Sequence, residues 1–99
     1  MGKHLILWRM NEATTPVDAK ELGSGYGALT AMVRQDIEKG FVKDYGAFPG
    51  EGRGYVVVEG TYLEIMKMTE QYAPYVRFEV HPSASISEVD ELIKHLTDL

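Results

Sequence analysis

Gly54-Tyr55-Val56-Val57-Val58-Glu59-Gly60 is the stretch that most narrows what this chain can become. Three consecutive β-branched residues between glycines suit a pleated strand, because two heavy atoms on Cβ restrict χ1 and pack well against cross-strand neighbours. Apolar and polar residues do not alternate here. Val57 points one way and Val56 and Val58 the other, so both faces of this strand need cover. Leu5-Ile6-Leu7-Trp8 has the same two-sided character. A chain of 99 residues must therefore cover both sides of a sheet.

The remaining elements are marked by their ends. Lys3 to Met10 reads as the first strand and Asn11 to Thr14 as a loop. Thr15 before Pro16, with Asp18 three residues on, predicts a helix start. Leu22, Tyr26, Leu29, Val33 and Ile37 then share one helical face. Gly23, Gly25 and Gly27 weaken this helix by about 1 kcal/mol each relative to alanine, and as small residues they suit close backbone approach. Gly40 is placed to end it. Phe41 to Phe48 reads as a second strand, and Pro49 to Gly54 as a hairpin connection into the third. Thr61 with Glu64 is a capping box for a second helix with inner face Ile65, Met68 and Tyr72, stopped by Pro74. Tyr75 to His81 alternates, with Val76, Phe78 and Val80 on one side, and Pro82 closes it. A last amphipathic helix carries Ile86, Val89, Ile93 and Leu96, starting at Ser85 or Ser87.

The order strand-helix-strand, strand-helix-strand is the split βαβ, ferredoxin-like motif: an α+β fold of one domain spanning residues 1–99, with a four-stranded antiparallel sheet and an added C-terminal helix. Right-handed crossovers put both internal helices on one face. The expected spatial order is strand 4, 1, 3, 2, with strand 3 taken to run parallel to strand 1.

Composition excludes several functions. The net charge is −5 with no basic cluster, which argues against a nucleic-acid partner. There is no cysteine, hence no disulfide framework and no thiolate chemistry, in keeping with a cytoplasmic protein. The N-terminal apolar run is too short for a membrane span or a signal-peptide core. Gly23-Ser24-Gly25-Tyr26-Gly27 does not follow a strand directly, and no Gly-Lys-Ser/Thr closes it, so it is not a nucleotide loop.

With the helices taken to cover Leu5, Leu7, Val56, Val58, Val76, Phe78 and Val80, the other sheet face would carry His4, Ile6, Trp8, Tyr55, Val57, Glu59, Tyr75, Arg77, Glu79 and His81. His4 with Glu79 or His81 is a candidate general acid–base pair, since imidazole titrates near neutrality and a carboxylate can orient it. The plainer reading of these groups is a rim ion pair or an interface hydrogen bond. Trp8, Tyr55, Glu59, Arg77 and His81 are candidate ligand contacts, and Arg77 with Glu59 is either a carboxylate clamp or a structural salt bridge. No tight metal-ligand motif occurs, and neither metal nor cofactor is expected.

The element order, the length and the segment Ala73-Pro74-Tyr75-Val76-Arg77-Phe78-Glu79-Val80 resemble the dimeric α+β barrel superfamily, and within it muconolactone isomerases. The resemblance implies a homodimer in which two sheets face each other and enclose a barrel, covering Ile6, Trp8 and Val57. It implies a small-molecule-binding domain first. A cofactor-independent isomerase or monooxygenase using His4 and a carboxylate is the alternative, and a purely structural oligomerisation domain the third reading. The isomerases' Trp-Arg pair has no counterpart in Val42 to Phe48.

Overall fold

Both two-sided strands lie inside one sheet. A computed structural model describes residues 2–99 and orders the elements as β1 (Gly2–Met10), α1 (Ala19–Glu38), β2 (Val42–Phe48), β3 (Arg53–Gly60), α2 (Tyr62–Gln71), β4 (Val76–Ser83) and α3 (Ile86–Thr97). The spatial order is β2-β3-β1-β4, and each neighbouring pair is antiparallel. This is the expected ferredoxin-like α+β arrangement, with the C-terminal helix added.

The expected direction of β3 is corrected. It runs antiparallel to β1. The crossover through α1 returns β2 parallel to β1, and the hairpin at Phe48–Arg53 then reverses the chain.

The phase of β1 is corrected as well. Ile6 lies opposite Val56 and Val80, and Trp8 lies opposite Gly54 and Phe78. Directly opposed residues share a face, so His4, Ile6 and Trp8 look toward the helices while Leu5, Leu7 and Arg9 lie on the open side. Ile6 and Val58 are completely buried. Val42, Val56, Ile65, Met68 and Tyr72 complete the core around them, so the inner face expected of α2 is the one observed.

Local chemistry sets the element ends. Asp18, and not Thr15, caps α1, its carboxylate accepting from the Glu21 N–H at 3.1 Å. Thr15 instead closes a 3-10 turn over Glu12–Thr14, its hydroxyl donating to the Asn11 carbonyl at 2.8 Å. Gly40 follows α1 with φ of 79°, the left-handed conformation a C′ residue adopts. Both capping boxes form, Thr61 with Glu64 on α2 and Ser85 with Glu88 on α3. The Thr61 backbone N–H, and then its hydroxyl, hold the Glu64 carboxyl below its ordinary range. β4 runs through Pro82 to Ser83, which an edge strand tolerates because one side of its backbone has no ladder to complete.

Candidate functional site

α1 is held to the sheet mainly by its C-terminal half. Leu29, Met32 and Val33 pack on the core, whereas residues 23–28 are exposed. A Cβ built on Gly23, Gly25 or Gly27 would meet nothing within 4 Å, so these glycines do not serve the close approach expected of them. A cavity of about 400 Å³ lies beneath the middle of α1, lined from that helix by Tyr26, Leu29, Thr30 and Val33. That size falls in the range of small-molecule sites, roughly 300–1,000 Å³.

Trp8, Val56 and Phe78 contribute the sheet side of this cavity, while Tyr26, Leu29 and Tyr72 line it from the helical side. Tyr45 stacks on Trp8 with ring centroids 5.9 Å apart and planes within 8°. Tyr72 meets Phe78 edge-on at 5.7 Å. The Trp8 Nε1–H is buried and has no hydrogen-bond partner among the described residues. No acidic side chain is among the lining residues. Behind the wall, the Tyr72 hydroxyl donates to Asp36 Oδ2 at 3.2 Å, joining two buried side chains across α1 and the end of α2. Burial, and then the Asp36 charge and hydrogen bond, push the Tyr72 phenol well above its ordinary range.

The residues picked from the sequence do not converge on this site, and Trp8 alone of them lines the cavity. His4 is buried on the helix side, its ring edge-on to Tyr62 at 5.3 Å and its Nδ1 unpartnered among the described residues. Glu79 lies opposite Leu7 on the open face, so sheet backbone separates it from His4. The expected His4–Glu79 proximity is therefore corrected: the one-residue phase of β1 puts them on opposite sides. Glu79 instead pairs with His81 at 2.7 Å on the exposed edge strand.

Glu59 sits opposite Lys3 at one end of the sheet, and Arg77 opposite Arg9 at the other. They do not meet, and neither shares a face with Trp8. The Tyr55 hydroxyl donates to Asp44 Oδ2 at 3.0 Å on the open side, and that bond, with burial and the Asp44 charge, raises its pKa. Tyr75 is exposed in the turn before β4.

Sequence reasoning does not reach Tyr45 and Asp36 as site residues. Tyr26 and Tyr72 do carry a signal, because each falls on the apolar stripe of its helix. Asp36 carries none, since a charge beside Ile37 near a helix end reads as solvated. Among the described residues, no group of three His, Asp or Glu side chains is placed to hold a metal ion. No described helix is long and apolar enough to cross a membrane. In comparisons with known proteins, the sequence matches no protein-family profile and no curated protein.

Proposed function

We propose that this is a small-molecule-binding domain of the dimeric α+β barrel type, whose ligand occupies the cavity between α1 and the sheet. The observation that carries this reading is the cavity itself, largely apolar but with Thr30 and Arg53 in its lining, and with the buried Trp8 Nε1–H left without a partner beside it. A buried donor left unpaired costs about 1–3 kcal/mol, which a ligand oxygen or nitrogen accepting from it would recover. The ligand class is a small, largely apolar molecule with one hydrogen-bond acceptor.

Self-association belongs to the same reading. Leu5, Leu7 and Val57 form an apolar centre on the open face, a kind of surface that soluble monomers keep small. The segment Ala73 to Val80 supports the kinship with muconolactone isomerase-like proteins, and the absence of cysteine supports a cytoplasmic setting. The geometry gives no support to acid–base chemistry by His4 and Glu79, which lie on opposite faces of the sheet.

The test is a thermal-shift screen of apolar carbonyl and phenol compounds, followed by tryptophan fluorescence. Trp8 is the only tryptophan, so its emission reports this cavity directly. A binder is expected to raise the melting temperature, in proportion to RT ln(1 + [L]/Kd), and to change the Trp8 emission. Trp8→Phe should weaken binding at least severalfold while the protein stays folded. A broad set with no stabilising compound overturns the reading.

A further inference from the structure

β4 is an edge of the sheet, and little guards it. An edge strand offers unpaired N–H and C=O groups to another chain unless a bulge, a lysine, a proline or a covering element blunts it. β2, at the other edge, is blunted: its register slips between Val42 and Asp44, with Lys43 between them. β4 pairs with β1 without a slip from Val76 to Ser83 and carries no lysine, and its proline, Pro82, sits near its far end. From Glu79 onward β4 is exposed, and α3, which follows it, buries none of its residues.

Which backbone groups are free follows from the ladder. The Asn11 N–H donates to the Tyr75 carbonyl at 2.9 Å, just beyond the paired strands. Groups facing one neighbour recur at every second residue of an antiparallel strand. Arg77, Glu79 and His81 therefore bond to β1, while Val76, Phe78 and Val80 turn their N–H and C=O outward. The Val76 N–H agrees, since it donates to the Tyr72 carbonyl at 3.1 Å and not to β1. Pro82 belongs to the outward set, where its missing N–H takes nothing from the ladder.

The side chains of this edge are self-complementary about Phe78. Arg77 mirrors Glu79 across it, and Val76 mirrors Val80. Arg77 stands opposite Arg9 in the sheet and makes no ion pair among the described residues. Glu79 meets His81 through Oε2, and its other oxygen is open to a second cation.

We infer that β4 pairs antiparallel with β4 of a second copy, centred on Phe78. Phe78 then exchanges N–H···O=C bonds with the partner's Phe78, and each Val80 N–H reaches the partner's Val76 carbonyl. Arg77 comes opposite the partner's Glu79 on the open face, and Val76 opposite the partner's Val80 on the helix face. The neighbouring registers are poorer. Centring on Arg77 or on Glu79 sets like charges against each other, and centring on Val80 brings Pro82, which has no N–H, against Phe78. The contact closes about a two-fold axis and joins the four strands of each copy into one sheet, with α1 and α2 of both copies on the same side. Curl of that sheet away from the helices turns the open faces toward each other, as in the barrel proposed above. This inference rests on that self-association and names the strand that makes it.

Charge exchange across the contact is the test. Arg77→Glu alone sets like charges at both contacts, and so does Glu79→Arg alone; each should raise the dimer dissociation constant about tenfold. Mixed in equal amounts, the two variants regain opposite charges at both contacts, and the mixture should dimerise as tightly as the unmodified chain. Sedimentation equilibrium reads this, with circular dichroism to check that each variant is folded. A mixture no tighter than its components overturns the pairing. The register is read separately, because the chain has no cysteine to confuse a cross-link. Arg77→Cys mixed with Glu79→Cys and oxidised should join position 77 to position 79; products joining 77 to 77 or 79 to 79 in its place overturn the centre at Phe78. An unmodified dimer indifferent to both charge changes would overturn the edge contact and leave self-association standing. A monomer at micromolar concentration would remove both, while the ligand reading keeps its own thermal-shift test.

Discussion

Removing one oxygen, by Tyr72→Phe, tests how the cavity wall is held. The hydroxyl donates to Asp36 Oδ2 at 3.2 Å, and the two residues are 5% and 7% exposed. Phenylalanine keeps the ring and its edge contact with Phe78, so the loss is that of a hydrogen bond to a charged group. Such bonds contribute about 1.5–3 kcal/mol, and for a domain of this size each kcal/mol moves the melting temperature by roughly 4–8 °C. Urea denaturation followed by far-UV circular dichroism should give a loss in this range. The pH dependence adds an independent arm. Burial and Asp36 raise the folded-state pKa of the phenol above its ordinary value, so the fold favours the neutral form. That contribution is fully present below about pH 10, the unfolded value, and is lost as pH rises from there toward the folded pKa. The wild type should therefore lose up to about 1.4 kcal/mol per pH unit above pH 10 that Tyr72→Phe does not lose. Tyr55, also raised, is present in both proteins and cancels in the comparison. Equal alkaline slopes, or a neutral-pH loss below about 0.5 kcal/mol, would refute the reasoning.

Two further substitutions probe the sheet beneath the cavity. Gly54→Ala would drive its Cβ into the Gly46 carbonyl oxygen and to 2.6 Å from Trp8 Cζ2; a destabilisation of about 1–3 kcal/mol is expected, with a shifted Trp8 emission, and an unchanged spectrum would count against the packing described. Ile6→Ala, at a fully buried position, should cost about 2–5 kcal/mol by urea denaturation, whereas the same change at Leu5 on the open face should cost the monomer fold far less.

What could be read from the sequence was whatever one residue type settles locally. Thr61 with Glu64 and Ser85 with Glu88 satisfy orphan N–H groups by chemistry that needs no tertiary partner, and both boxes form as expected. Gly40 ends α1 because only glycine adopts its φ freely. The alternation of Val76, Phe78 and Val80 gave β4 its correct face. β1 offered no such guide. Leu5-Ile6-Leu7-Trp8 is apolar in both phases, and polar residues flank both, His4 in one and Lys3 and Arg9 in the other, so placing His4 on the face away from the helices follows only half of the pattern. The fold buries His4 instead, beneath Tyr62 and with Nδ1 unpartnered among the described residues.

The consequences of that single phase show how site and surface are coupled in a four-stranded sheet. Because side chains alternate with period two, a slip of one residue exchanges the two faces of a strand completely. It carries Trp8 from the open side into the cavity, where its N–H becomes the unpaired donor. In the same step it carries Arg9 out of the core side and into line between Arg53 and Arg77. Neither feature exists in the other phase: His4 would come to the open face opposite His81 or Ser83, and the arginine row would be broken in the middle. The unpaired Trp8 donor at the cavity and the arginine row thus follow from one register. A substitution that shifted β1 by one residue should abolish both together, while Trp8→Phe and Arg9→Glu, acting on opposite faces, should each disturb only its own.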